Sequence, residues 1–98
     1  MVFSPQQVKF EFLSYIKEFG GNPTEWRVGC AEDATAALFH ENAVDQDRDI
    51  WLWKPTLSAA AARIVFRYLT EQLHVPCASS ATPGSSIFLF KRGELPLV

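Results

Sequence analysis

Two short segments, Ile50-Trp51-Leu52-Trp53 and Ile87-Phe88-Leu89-Phe90, have no polar face. Side chains alternate between the two faces of a strand. Ile50 and Leu52 therefore point one way while Trp51 and Trp53 point the other, and a sheet built from such strands must be covered on both sides. The chain has 98 residues in which to do this. That length fits one domain spanning 1–98, which can bury about 65% of its unfolded surface. With 48% hydrophobic and 20% charged residues, disorder is excluded for most of the length.

The cover comes from helices. Phe3, Ser4, Pro5, Gln7 and Val8 together spell a hydrophobic staple, an N-cap, a proline at the first helical position and a capping box. Val8, Phe12, Ile16 and Phe19 follow at helical spacing, with Phe10 and Leu13 expected to widen the stripe, giving a helix over 5–19 stopped by Gly20 and Gly21. Trp26 to Cys30 reads as a first strand. Asp33 caps a short helix through Phe39 toward Glu41, with Asn42 as terminator, and 43–49 reads as a solvated loop. Asp49 to Lys54 is the second strand, closed by Pro55. A third helix, capped by Ser58 or Thr56, runs to about Leu73 on a stripe of Ala62, Val65, Phe66, Leu69 and Leu73, with Ile64 and Tyr68 alongside. Pro76 ends it. Residues 77–86 read as a small-residue loop, Ile87 to Arg92 as the last strand, and Gly93 to Val98 as a frayed tail. The expected fold is α+β in the order α-β-α-β-α-β, three helices packed on a small three-stranded sheet.

The longest uncharged run, Leu73 to Phe90, is broken by Pro76, Pro83, Gly84 and four serines, so no helix there crosses a bilayer. Lys9 and Glu11 interrupt any leader-like apolar stretch, and a soluble, cytoplasmic protein without membrane contact is expected. Cys30 and Cys77 are too few for a disulfide framework and are read as thiols. The net charge of −2 conceals a split, with four basic and nine acidic residues in 1–50 against five and two in 51–98. Such a split can place an acidic and a basic face on one molecule, or reflect sequence halves that do not map onto faces.

Catalytic and metal signatures are missing. His40 and His74 fall near the C-terminal ends of helices, where a partly positive imidazole suits the dipole. A zinc site of Cys30, His40, His74 and Cys77 lacks ligand spacing. Asp45, Asp47 and Asp49 alternate without the central Gly or distal Glu of a calcium loop. Ser79, Ser80, Ser85 and Ser86 lie in no nucleophile elbow. Gly20-Gly21 neither follows a strand nor precedes a Gly-Lys pair. No catalytic residue, metal or cofactor is expected. One constellation stands out: Trp51, Trp53, Phe88 and Phe90 as an aromatic interaction surface, with Arg27, Arg63, Arg67, Lys91 and Arg92 as possible phosphate contacts.

The passage Trp26-Arg27-Val28-Gly29-Cys30-Ala31-Glu32-Asp33, followed by a helix and Asn42, resembles the strand-to-helix motif of the GIY-YIG nuclease superfamily, and Ala61 to Leu69 resembles its later Ala- and Leu-rich helix. The likeness covers residues 26–73. It implies that Arg27 stands where the family keeps a tyrosine, Ala36 and Ala37 where it keeps an arginine, and Phe66 where it keeps a metal-binding glutamate; Gly29 matches. Glu71 lies more than a turn beyond that position. The resemblance therefore implies a relative without the family's chemistry, its scaffold retained.

From these readings the first expectation is a non-enzymatic domain acting by protein association, with itself as a homodimer, because large apolar residues are abundant for so short a chain. The alternative is a catalytically dead nucleic-acid binder using the five basic residues. An enzyme with no sequence signature is a third class.

Overall fold

The computed structural model describes residues 3–78 and 84–91. Helix α1 is Pro5–Glu18. A 3₁₀ turn at Pro23–Glu25 leads into strand β1, Trp26–Ala31. Helix α2 begins at Ala34–Ala36 and continues through a π-helical Ala37–Glu41. Strand β2 is Ile50–Pro55, helix α3 is Ala59–Arg67 continued by a π-helical Tyr68–Gln72, and strand β3 is Ser86–Lys91. The expected α+β class and element order hold.

Local chemistry explains the helix starts. The Ser4 hydroxyl accepts from Gln7 N–H at 3.2 Å while the Gln7 side chain accepts from Ser4 N–H at 3.0 Å, closing the capping box. Asp33 accepts from Ala36 N–H at 3.1 Å, and that bond, with a second from the Thr35 hydroxyl, holds its carboxyl below the usual range. Of the two expected caps for α3, Ser58 serves, accepting from Ala61 N–H at 3.1 Å. Thr56 is buried and donates its hydroxyl to Ser85 O at 2.6 Å, pinning the end of β2 to the start of β3.

The helix ends of α2 and α3 share a device the sequence did not reveal. Each widens into a π turn, then places one residue in the left-handed region, Ala43 at φ 52° and His74 at φ 62°. The next N–H reaches back six residues, from Val44 to Leu38 O at 2.8 Å and from Val75 to Leu69 O at 2.9 Å. Both valines are buried, so each chain reversal is anchored by a side chain in the core.

The sheet order is β1-β3-β2, with β3 antiparallel to both neighbours. β3 is thus central and buried on both faces. One face, carrying Trp26, Val28, Leu52, Ile87 and Leu89, packs on Val8, Phe12 and Ile16 of α1 and Ala62, Val65 and Leu69 of α3. The other face carries Phe88, Phe90, Trp51 and Trp53 beneath Ala37, Leu38 and Phe39 of α2. The requirement that both faces be covered is met by splitting the helices two against one. Of the expected loop at 77–86, Cys77 and Ala78 instead lie along β1, and 79–83 fall outside the described residues, as do Arg92 and the tail.

Candidate interaction surface

The expected aromatic surface is only half present. The register sets Trp51 opposite Phe90 and Trp53 opposite Phe88, so all four rings do share one face. Phe88 and Phe90 are 0% and 3% exposed, however, because α2 covers them. They are core, and the accessible aromatic surface shrinks to the half-buried Trp51 and Trp53. Trp51 is held in place: its ring meets Phe39 edge-on at 4.9 Å, and its indole N–H donates to Gln46 O at 3.1 Å.

Among the described residues, three of the basic side chains are engaged within the fold. Arg27 turns back onto its own turn, donating to Trp26 O at 2.9 Å and Thr24 O at 3.2 Å. Arg67 pairs with Glu71 at 3.1 Å along α3. Lys91 is held between Glu25 at 3.0 Å and Phe19 O at 2.8 Å. Arg63 is exposed on α3, and Arg92 lies outside the described residues. Two of the five cations are thus neutralised by neighbouring carboxylates. Nor do Arg27, Ala36, Ala37 and Phe66 line one concavity. Ala37 packs under the α2 face of the sheet, while Phe66 packs against the opposite core.

What the sequence missed lies on α1 and β2. Phe10 is 70% exposed. Two residues beyond Val8 place it about 200° around a helix of 3.6 residues per turn, so it faces away from the stripe it was expected to widen. Phe3, Gln6, Gln7, Phe10 and Glu11 line an open groove of about 360 Å³ on this outer side. The groove adjoins β2, since Lys54 Nζ lies 3.9 Å from Glu11 Oε1 and 4.6 Å from the Phe3 ring centroid. Leu57, just beyond β2, is 76% exposed, and Ile64 on α3 is 51% exposed.

The two edges of the sheet differ. Along β1, Trp26 N–H donates to Pro23 O, Val28 N–H donates to Pro76 O at 3.1 Å, and Val28 O accepts from Ala78 N–H at 2.9 Å, so the first half of this edge is engaged. Along β2, Thr56 N–H points across to Ser85 O. Backbone groups of a strand alternate in direction, so those of Trp51, Trp53 and Pro55 point outward. Pro55 O accepts from Phe3 N–H at 3.1 Å, and Trp51 O accepts from the Tyr15 hydroxyl at 2.9 Å. Trp51 N–H and both backbone groups of Trp53 have no hydrogen-bond partner among the described residues. The alternation of β2 was legible from sequence. Its place at an edge was not, because nothing local to a strand fixes its neighbours.

No group of three or more His, Cys, Asp or Glu side chains able to hold a metal ion occurs among the described residues, and no helix among them is long and apolar enough to cross a membrane. Both cysteines are free thiols. Burial pushes the Cys30 thiol up to about 11, only partly opposed by the positive charge of Arg63. Compared with known protein families, curated proteins and solved structures, the chain matches none of them.

Proposed function

We propose that this chain is a non-catalytic protein-association domain that works by self-association in a reducing, cytoplasmic setting. The observation that carries the reading is a single face on which an exposed Phe10, its groove and the open Trp51–Trp53 stretch of the β2 edge lie side by side, linked through Glu11, Lys54 and Phe3. Exposed apolar surface next to unsatisfied backbone is the signature of a surface that another chain covers.

Sedimentation velocity across the micromolar range tests it. The expected result is a reversible monomer–dimer equilibrium that Phe10→Ser weakens while the monomer keeps its native spectrum, since exposed substitutions usually change stability by less than about 0.5 kcal/mol. A strictly monomeric particle at every concentration sinks the reading.

A further inference from the structure

We infer that β2 pairs with β2 of a second copy of this chain, antiparallel and two-fold about Leu52, so that two three-stranded sheets become one of six strands. The inference rests on the association reading above and specifies its geometry. The argument is a match of donors and acceptors. Between Asp49 and Pro55, each chain offers outward the N–H groups of Trp51 and Trp53 and the carbonyls of the same two residues. The Trp51 carbonyl already accepts from Tyr15 but has a second lone pair.

Only one register uses them all. With the two-fold axis at Leu52, Trp53 of one copy lies opposite Trp51 of the other, and such a pair exchanges both N–H···O bonds. Symmetry repeats the exchange, so four bonds satisfy every free group. An axis at Trp53 would set Trp51 opposite Pro55, which has no N–H and whose carbonyl already holds Phe3. An axis at Trp51 would set Trp53 opposite Asp49, whose N–H already donates to Asp45 O at 2.9 Å. The same pairing brings Trp51 and Trp53 of the two copies together as cross-strand neighbours on one face and the two Leu52 side chains together on the other. β2 is therefore self-complementary over its own length, with Pro55 and Asp49 as stops at either end.

The test compares Trp53→Pro with Trp53→Phe and follows amide exchange in the unmodified protein. The Trp53 N–H takes no part in the ladder with β3, so from the backbone proline removes only the proposed intermolecular donor, Trp53→Phe reads the loss of the indole, and a native-like spectrum checks that the fold persists. Trp53→Pro is expected to weaken dimerisation about tenfold to a hundredfold relative to Trp53→Phe, from two lost bonds per dimer. In the unmodified protein, the Trp51 and Trp53 amides are expected to exchange more slowly as concentration rises. A dimer equally tight in both variants, with exchange at these amides independent of concentration, overturns β2 pairing and leaves the association reading standing. A monomer under all conditions overturns both.

Discussion

The Tyr15 hydroxyl donates to the Trp51 carbonyl at 2.9 Å, tying the last turn of α1 to the exposed edge of the sheet across 36 residues of chain. The tyrosine ring also meets Phe19 and Trp26 edge-on at 4.9 and 5.8 Å, so one side chain joins the helix to both outer strands. Tyr15→Phe keeps the ring contacts and removes the bond, and is expected to lower stability by about 1 kcal/mol. For a domain this size that is a drop of about 4–8 °C in melting temperature. The pKa of Tyr15 is raised from 10.0 by burial first and then by the Glu18 carboxylate. A raised value means that the folded state favours the neutral form, so this contribution is complete below pH 10 and is lost as pH climbs through the raised value. Thermal melts of both proteins from neutral to alkaline pH check the sign, since Tyr15→Phe should show the smaller alkaline loss.

The two cysteines should react at different rates. Cys77 is exposed, whereas Cys30 is half-buried with its thiol pushed up to about 11. The thiolate is the nucleophile, so iodoacetamide at pH 8 is expected to alkylate Cys77 well before Cys30 in the folded protein. Peptide mapping against time reads the order directly, and denaturant should erase it.

Gly84 lies against the backbone where β1 passes into α2. A Cβ there would overlap the Ala31 carbonyl carbon and the Glu32 nitrogen, main-chain atoms that no rotamer change can move. Gly84→Ala should therefore destabilise the fold by about 1–3 kcal/mol, the usual range for overpacking. Denaturant titration with an unchanged slope is the expected readout. A neutral outcome would mean that the segment entering β3 does not run against β1 as described.

Ala43 and His74 invite the opposite change. Both sit at positive φ and both are exposed, so glycine at either position relieves backbone strain without removing a buried side chain. The left-handed conformation costs a residue with a Cβ about 1–2 kcal/mol, and the added freedom of glycine in the unfolded chain offsets about 0.4–1 kcal/mol of the relief. Each substitution is expected to stabilise by about 0.5–1 kcal/mol. The sites terminate different helices on opposite faces of the sheet, so the double variant should be close to additive in calorimetry.

The parts of this fold that sequence revealed are those with local causes. The capping box at Ser4 and Gln7, the cap at Ser58 and the two-faced alternation of Trp51 to Trp53 each follow from neighbours within a few positions. The π turns and left-handed residues did not show, because alanine is not a type that favours positive φ and histidine, though enriched there several-fold, adopts it in only a minority of cases. The placement of Phe88 and Phe90 in the core rather than on a surface depended on which strand became central, a long-range choice with no local mark. Phe10 departs from expectation for a simpler reason: its side chain is apolar enough for the stripe, but its angle around α1 puts it beside the groove rather than under the sheet.

The central place of β3 sets the order in which this molecule can assemble. Among the described residues, β1 and β2 share no ladder, and each pairs along its length with Ser86–Lys91. During synthesis, residues 1–85 therefore precede the strand that pairs with both β1 and β2, and the sheet waits until Ser86–Lys91 emerges. Contacts spanning such sequence distances close slowly. Until they close, Trp51 and Trp53 are exposed on a strand with two open edges instead of one, and that interval is when such a chain is most open to aggregation.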